Sequence, residues 1–332
     1  MRALHLTTLL PGPSALQVTT QPDPIPSKNE YLISIRASAA NFFDLLQIRG
    51  KYQHQPKLPW IAGSEFSGVV ISAPSGGKYP VGTKVFGAAQ GAFATKVCAR
   101  EETLLPVPEG WGFKEAAGLF VTAPTSYAAL VTRAQLKKGE TVLVHAGAGG
   151  VGLAAIQIAK AYGARVIASA GSEEKRGICK EFGADEVVDY REKEWVKVVM
   201  KLTGGKGVDV VYDPVGMVNQ SLSCTAWNGR ILVVGFAGGK IEEVKANRVL
   251  LKNVSVVGIH WGMYAKNEPE MVPITWKGIF DLIKQGKFRG TVFSGQYTGL
   301  KEMARALEDL ETRKTWGKVV VDVPEEEEKA RL

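Results

Sequence analysis

The stretch VLVHAGAGGVGLAAIQIAK, residues 142–160, limits the possible folds more than any other part of the sequence. A run of β-forming residues leads into the glycines of residues 147–152, and helix-forming residues follow. This G-x-G-x-x-G spacing allows a tight turn after a strand, close approach of the backbone to a pyrophosphate, and packing of the next helix on the strand. The first amides of that helix then face the phosphates. With a second strand, RVIASAG, in the expected place, the stretch predicts dinucleotide binding rather than a purely structural turn.

Strand and helix patterns alternate from about residue 123 to residue 262. Continuous runs of valine and isoleucine, separated by helices, indicate a parallel sheet that is covered on both faces. We therefore predict an α/β domain with a Rossmann-type, doubly wound parallel sheet over residues 123–262. Its six predicted strands are TVLVHA, RVIASA, EVVDY, DVVYD, RILVVG and VSVVGIH.

The sequence on either side of this region has a different pattern. Residues 1–122 contain short β-rich runs such as YLISIRASAA and FSGVVISAP, punctuated by glycine and proline, which favour a barrel-like antiparallel domain. After residue 262 come an amphipathic segment, a second helix and a last strand, GKVVVDV. We predict that residues 263–332 return to the first domain and end in a solvated, charged tail, PEEEEKARL.

Composition narrows the class of protein. With 332 residues, of which 45% are hydrophobic, the chain can form two domains with apolar cores. Its 41 basic and 33 acidic residues give a net charge of +8, but no basic block indicates nucleic-acid binding. Three widely spaced cysteines match no zinc or disulfide pattern, and the sequence predicts neither a signal peptide nor a membrane span. We therefore expect a cytoplasmic protein in a reducing environment.

The end of the second predicted strand selects the cofactor. Folds that prefer NAD place Asp or Glu there to bind the ribose hydroxyls. Here Ala170 and Gly171 are followed by Ser172, Lys175 and Arg176, which could bind a 2′-phosphate instead. We therefore predict NADPH as the cofactor. The alternative, open above all for Arg176, is that the two basic residues form a solvated helix face with the preceding glutamates.

Seven motifs spread over nearly the whole chain are specific only in combination. They are ASAANFFDLLQIRGKY (37–52), PWIAGSEFSGVV (59–70), VGTKVFG (81–87), LFVTAPTSYAAL (119–130), AGAGGVG (146–152), YDPVG (212–216) and VVGFAGG (233–239). In this order they resemble the medium-chain dehydrogenase/reductase superfamily, and most closely its zinc-free, zeta-crystallin-like quinone oxidoreductase family. The resemblance implies a GroES-like β-barrel-type catalytic domain together with a Rossmann NADPH-binding domain.

The metal site of the zinc-containing relatives is not matched. Zinc alcohol dehydrogenases carry a cysteine ligand where this chain has Asn41, and Gly-His-Glu where it has Gly63-Ser64-Glu65. Two of the three protein ligands that catalytic zinc needs are therefore missing, as is the four-cysteine structural lobe. The four histidines are too scattered to rebuild a site. We predict no metal, which disfavours alcohol oxidation and favours acceptors that take up hydride readily, such as quinones and enones.

The resemblance thus implies an NADPH-dependent reductase of quinones or α,β-unsaturated carbonyls, and it implies roles for single residues. Asn41 and Thr125 are expected at the nicotinamide ribose and ring. Tyr52 matches a tyrosine that assists protonation in related enoyl-thioester reductases; its hydroxyl could donate a proton, or its ring could simply line the pocket. The other implied cofactor residues are Gly149, Gly150 and Val151 for the pyrophosphate, Gly171, Ser172, Lys175 and Tyr190 for the 2′-phosphate, Phe236 for the nicotinamide end, and Lys318 as a basic residue near the cofactor.

Other readings remain open. Enoyl-thioester reduction is permitted by Tyr52, although no basic groove for a phosphopantetheine arm is evident. A non-catalytic NADPH-binding or RNA-binding protein is disfavoured by the diffuse charge.

We also predict a homodimer through the long apolar edge strand at residues 254–261. Asp44 is expected to support its loop. Trp261 and Tyr264 could line the substrate mouth, but packing at a subunit interface is favoured.

Overall fold

The computed structural model describes residues 1–325 and divides the chain into two compact units. Among the described residues, unit 1 comprises Met1–Val121 together with residues 290–325, and unit 2 comprises Thr122–Arg289. Most of the charged tail predicted after Pro324 lies outside the described residues. Within residues 1–325, none of the helices combines the length and the hydropathy that crossing a bilayer requires.

Strands dominate the two ends of the chain, and strands and helices alternate in its middle. The strands are β1 (Arg2–Leu6), β2 (Val18–Thr20), β3 (Glu30–Ala40), β4 (Trp60–Ile61), β5 (Glu65–Ser72), β6 (Lys84–Ala88), β7 (Lys96–Arg100), β8 (Leu104–Pro106), β9 (Thr141–Val144), β10 (Arg165–Ser169), β11 (Glu186–Val188), β12 (Val208–Asp213), β13 (Thr225–Val233), β14 (Ser255–Gly258) and β15 (Val319–Asp322). The α-helices are α1 (Phe42–Ile48), α2 (Phe113–Ala117), α3 (Thr122–Tyr127), α4 (Gly150–Ala161), α5 (Glu173–Glu181), α6 (Trp195–Leu202), α7 (Val218–Ser221), α8 (Ala246–Lys252), α9 (Tyr264–Asn267), α10 (Met271–Lys284) and α11 (Met303–Glu311). Short 3-10 turns cover Pro13–Ala15, Glu101–Thr103, Trp261–Met263 and Leu300–Glu302, and Ala128–Arg133 forms a π-helical turn.

Unit 1 is built from antiparallel strands. One sheet has the order β15-β3-β5-β6-β8 with β7 also paired to β3, and a smaller sheet has the order β2-β1-β4. The long strand β3 buries Tyr31, Ile33 and Ile35 on one side, as the side-chain period of two in a strand requires, and Ser34 on its other side is buried as well. At Gly68 of β5 a Cβ would lie 2.2 Å from the carbonyl oxygen of Ser34, so this close strand pairing needs glycine. The prediction of an antiparallel first domain is confirmed.

Unit 2 contains a six-stranded sheet in the order β11-β10-β9-β12-β13-β14, and every pairing in it is parallel. Numbered from β9, this is the order 3-2-1-4-5-6 of the doubly wound dinucleotide-binding fold. The central strand β12 is buried along almost its whole length, as expected for a parallel strand covered on both faces. The prediction of a doubly wound sheet is confirmed, with all six strands at the expected places.

The second boundary between the units differs from the predicted one. Unit 2 continues past residue 262 to Arg289, so that α10 belongs to it and not to the returning segment. Packing explains this, because a Cβ at Gly278 of α10 would lie only 2.1 Å from the hydroxyl oxygen of Tyr127. The Gln157 side chain also bonds the backbone N–H and C=O of Arg289, at 2.8 and 3.2 Å. Sequence periodicity indicates that α10 is amphipathic but does not reveal which surface its apolar face covers.

Candidate functional site

The glycine-rich turn of unit 2 joins the end of β9 to the start of α4. Ala146 begins it with a φ of 45°, and Gly149 caps α4 in an extended conformation. A Cβ at Gly152 would lie 2.3 Å from the carbonyl oxygen of Ala146 and 2.7 Å from that of Gly147, so only glycine allows the helix to start this close to the turn. The first amides of a helix have no acceptor within it and attract anions. The Gly149 N–H donates to the carbonyl oxygen of Ala146 at 2.8 Å, and Gly150 and Val151 are the first helical residues. We call residues 149–151 the pyrophosphate cradle; the binding of a pyrophosphate there stays a prediction.

The tip of β10 brings together the residues expected around a 2′-phosphate. Ser172 caps α5, its hydroxyl oxygen accepting the backbone N–H of Lys175 at 3.2 Å. The hydroxyl of Tyr190 lies over Gly171, within 3.0 Å of the position that a Cβ would take there. Gly171, Ser172, Lys175 and Tyr190 therefore lie in one place, with no carboxylate at the strand tip itself.

Arg176 has a different environment from Lys175. Its guanidinium donates to the Asp189 carboxylate at 2.7 Å, and Arg191 donates to the same carboxylate, also at 2.7 Å. Arg191 and Arg176 hold the pKa of Asp189 well below its usual range, so that this carboxyl is ionised and neutralised by its partners. Arg176 supports the loop that carries Tyr190 and does not form the solvated face with the preceding glutamates.

The loop after β12 is held in place by Asp213, the last residue of that strand. The buried carboxylate of Asp213 accepts the backbone N–H groups of Val215, Gly216 and Met217 at 2.8, 2.9 and 2.6 Å. Gly216 has a φ of 98°, a conformation that favours glycine. Phe236, in the loop after β13, is partly exposed and approaches Gly216. The structure thus brings Phe236 beside the loop at residues 213–217.

Thr125 lies on α3, a helix tethered to the glycine-rich turn by its neighbour Ser126. The Ser126 hydroxyl donates to the carbonyl oxygen of Val151 at 2.8 Å and lies 2.8 Å from the hydroxyl of Tyr212. Thr125 itself is half-buried. The pyrophosphate cradle and Thr125 are therefore parts of one connected arrangement within unit 2.

In unit 1, Asn41 is the centre of a buried hydrogen-bond network. The Lys318 ammonium donates to the side-chain oxygen of Asn41 at 2.7 Å, to a carboxylate oxygen of Glu65 at 2.8 Å and to the carbonyl oxygen of Ala40 at 3.1 Å. The Asn41 amide nitrogen donates to the same Glu65 oxygen at 3.0 Å. The other Glu65 oxygen accepts the backbone N–H of Val121 at 2.9 Å. The orientation of the Asn41 amide is fixed by these bonds.

Lys318 is buried and bonded to Asn41, so its predicted place near the cofactor stays a prediction that depends on the one for Asn41. Its side chain is 4% exposed, and the three acceptors named above use its three N–H donors. The residue expected as a basic group near the cofactor is an ammonium held within unit 1, bonded to Asn41. Its effect on a ligand would pass through Asn41.

Asp44 is fully buried one turn into α1, and its carboxylate accepts the backbone N–H of Asn41 at 2.8 Å. Burial raises its pKa to about 7, against the opposing effects of the Asn41 N–H and the Lys318 ammonium. The predicted role of Asp44 as a support for its loop agrees with this bond.

This raised pKa makes stability depend on pH. Because the folded protein binds the Asp44 proton more tightly than the unfolded chain, the free energy of unfolding should fall as the pH rises through 7. We expect a loss of about 1.4 kcal/mol between pH 6 and pH 8. Urea unfolding should show that Asp44→Asn removes this loss, whereas Asp281→Asn, at an exposed residue, keeps it. An equal pH dependence in both variants would contradict the assignment.

Tyr52 stacks on Phe43, with ring centroids 5.4 Å apart and an interplanar angle of 22°. Burial, with a smaller effect of the Asp44 charge, raises the pKa of its hydroxyl above the usual value, so that the group carries its proton at neutral pH. A tyrosine in this state can donate a hydrogen bond or a proton but is a poor base. Both predicted roles, proton donor and aromatic wall, are compatible with this environment.

The residues around Asn41 do not fit a zinc ion. An asparagine and Ser64 stand where the zinc enzymes have cysteine and histidine, and the Asn41 and Glu65 oxygens are bonded to the Lys318 ammonium. Within residues 1–325, no three His, Cys, Asp or Glu side chains come together in a way suited to a metal. The absence of a metal stays a prediction.

Sequence reasoning did not single out three of the buried polar residues. Glu65, Asp213 and His145 are buried, and each organises a loop or a neighbouring side chain through several hydrogen bonds. Their positions in the sequence could have indicated them, because each is a polar residue at or next to one end of an apolar strand. A polar residue at such a place must find partners when buried.

Two domain families match the sequence. Residues 27–135 match the alcohol dehydrogenase GroES-like domain, and residues 150–277 match the zinc-binding dehydrogenase domain. The first match falls mainly on unit 1, and the second lies within unit 2.

Similar proteins carry quinone oxidoreductase names. The chain is 36% identical over 304 residues to the quinone oxidoreductase-like protein 2 homolog of Nematostella vectensis, covering 87% of this chain and 80% of that protein. The structure of Escherichia coli quinone oxidoreductase complexed with NADPH matches with a TM-score of 0.87 and 31% identity, covering 97% of this chain and all of the other. A mycobacterial protein complexed with NADPH matches with a TM-score of 0.88 and 34% identity, with coverage of 97% and 100%.

Proposed function

Because this chain belongs to the quinone oxidoreductase family of the medium-chain dehydrogenases/reductases, we propose that it is an NADPH-dependent reductase that transfers hydride to quinones or α,β-unsaturated carbonyls without a metal ion. The observation that carries the choice of cofactor is the tip of β10, where Ser172 and Lys175 stand in place of a carboxylate. An acidic residue there would repel a 2′-phosphate, whereas a hydroxyl and an ammonium favour it.

Bound NADPH would supply a hydride, and the reduced product needs one further proton. The chain's own contribution is binding and orientation: the cradle at residues 149–151 for the pyrophosphate, and Asn41 and Thr125 for the nicotinamide end. Tyr52, protonated at neutral pH, is the proposed donor of the proton or of a hydrogen bond to the acceptor's oxygen. A quinone or enone already accepts hydride readily, so the reaction needs no Lewis acid to stabilise an alkoxide.

The proposal is tested by cofactor titration. Titrations monitored by cofactor fluorescence should show that the native protein binds NADPH more tightly than NADH. The native protein should also oxidise NADPH with 1,4-benzoquinone or 9,10-phenanthrenequinone as the acceptor. Lys175→Ala should weaken NADPH binding by about tenfold or more, because a charge-assisted bond to the 2′-phosphate is lost. Lys180→Ala, at an exposed residue of the same helix, is the matched control and should bind as the native protein does.

Each alternative has its own result in this experiment. Equal affinity for NADH, or no loss in Lys175→Ala, would contradict the cofactor assignment. Turnover of a crotonyl thioester in preference to quinones would favour enoyl-thioester reduction. Binding of NADPH without turnover of any acceptor would favour a non-catalytic protein.

The edge of the parallel sheet supports a homodimer. Among the described residues β14 pairs only with β13, and the preceding helix α8 buries none of its residues, leaving Leu250 and Leu251 78% and 72% exposed. An apolar strand edge of this kind favours pairing with a second copy. Light scattering at micromolar concentration should give a dimeric mass that falls to the monomer in Val256→Lys but not in Val81→Lys, an exposed control site in unit 1. A monomeric native protein would contradict this.

A further inference from the structure

The side chain of His145 lies at the end of β9, directly before the glycine-rich turn, and is fully buried. Its Nδ1 atom lies 2.9 Å from the hydroxyl oxygen of Ser169, and its Nε2 atom lies 2.8 Å from that of Ser221. The ring of Trp195 meets the imidazole edge to face, with centroids 5.3 Å apart. Both ring nitrogens are therefore engaged, and the ring can hardly move.

The two serines belong to different elements of unit 2. Ser169 is the last residue of β10, two residues before Gly171, and its carbonyl oxygen accepts the backbone N–H of Gly147 at 2.9 Å. Ser221 lies on α7, the helix that follows the loop at residues 213–217. The imidazole thus links three places: the start of the glycine-rich turn, the tip of β10 and the C-terminal end of α7.

The imidazole acts here as a neutral cross-link. Burial lowers its pKa to about 4, although the nearby Asp213 carboxylate opposes this effect. A neutral imidazole has one N–H donor and one acceptor nitrogen. One serine hydroxyl therefore donates to the ring and the other accepts from it, so that neither nitrogen is left to take part in chemistry.

We propose that His145 is a positioning residue that fixes the spacing between the pyrophosphate cradle and the 2′-phosphate loop, and that it thereby strengthens the preference for NADPH over NADH that Ser172 and Lys175 provide. The inference rests on the proposed function, because it concerns the same cofactor. Two bonds join the two loops at this point: Gly147 N–H to the Ser169 carbonyl, and the His145 ring to the Ser169 hydroxyl.

The reason for selectivity lies in the ligand's covalent structure. The pyrophosphate and the 2′-phosphate of NADPH are a fixed distance apart in a given conformation, so both can be bound well only if the two loops keep the matching distance. NADH has no 2′-phosphate and tolerates a looser tip of β10. Loosening the link between the loops should therefore cost NADPH more affinity than NADH.

The test uses variants that remove one half of the cross-link at a time. Ser169→Ala and His145→Gln abolish or displace the bond to Ser169. Ser221→Ala and His145→Asn remove the bond to Ser221, because the asparagine amide reaches about as far as Nδ1 and therefore not as far as Nε2. We expect the ratio of the NADH and NADPH dissociation constants to fall about fivefold in the first pair and to stay unchanged in the second. Melting temperature is recorded for all four variants, and the mild Ser169→Ala variant keeps the test valid where a histidine variant does not fold.

The outcomes separate the inference from the proposed function. A purely structural role would lower the melting temperature of all four variants and leave the ratio unchanged, which would overturn the inference. Equal affinity of the native protein for NADPH and NADH would overturn the cofactor assignment itself, and the inference with it. If the native protein prefers NADPH and Ser169→Ala keeps the same ratio of dissociation constants, the inference alone is overturned.

Discussion

Replacement of Lys318 by methionine is expected to lower the free energy of unfolding by about 3–5 kcal/mol. The Glu65 carboxylate is completely buried and forms a 2.8 Å ion pair with this ammonium. Methionine has a similar size but leaves that charge without its cation, and it leaves the Asn41 side-chain oxygen without its donor. Breaking one side of a buried pair costs far more than an exposed pair contributes. Urea unfolding of native and variant protein measures the difference.

Two controls show whether the buried charge is the cause. In Lys318→Met/Glu65→Gln no unpaired charge remains, so a large part of the lost stability should return. Lys277→Met removes the cation of an exposed pair with Asp281 and should change the free energy of unfolding by less than about 1 kcal/mol. If Lys318→Met unfolds at the same urea concentration as Lys277→Met, the ion pair contributes little and our account of the network is wrong.

Replacement of Gly152 by alanine should weaken NADPH binding by about a hundredfold. The added Cβ would lie 2.3 Å from one backbone carbonyl oxygen and 2.7 Å from another. Backbone atoms cannot rotate away as a side chain can, so the start of α4 and the pyrophosphate cradle must separate. Fluorescence titration with NADPH and with NADH should show a loss for both, because both cofactors carry the pyrophosphate.

Gly177→Ala is the matched control for this substitution. Gly177 lies in α5, and a Cβ there would meet no atom within 4 Å. Alanine is a better helix former than glycine by up to about 1 kcal/mol, so this variant should be as stable as the native protein or more stable. Native-like NADPH binding in Gly152→Ala would show that the cradle is not the pyrophosphate site.

Local patterns in the sequence were sufficient for the parallel unit. The strands β9 to β14 are continuous apolar runs, and the glycine-rich turn is a short motif whose spacing has a direct geometric meaning. The residues expected around the 2′-phosphate also come together, because Gly171, Ser172 and Lys175 are close in the chain and only Tyr190 comes from the next strand end.

Local sequence patterns do not predict contacts between distant parts of the chain. Lys318 and Glu65 are 253 residues apart, and nothing near either residue reveals the partner. The same limit applies to α10, whose packing against Tyr127 sets the boundary of unit 2. From the sequence, His145 is one of four scattered histidines, because its partners, Ser169 and Ser221, are small polar residues with no motif of their own.

Unit 1 is assembled from two segments that lie far apart in the sequence, and this affects its folding during translation. Unit 2 is one uninterrupted segment and can complete its sheet as it leaves the ribosome, whereas β3 must wait for β15, which pairs with it along Val319–Asp322. About 200 residues separate Val121 from β15, and their synthesis takes roughly 10–40 s. During that interval the part of β3 that pairs with β15, Ala37–Ala40, has no partner on that edge, and Glu65 lacks its cation. Unit 1, which is begun first, can therefore complete its sheet only after unit 2 has been synthesised.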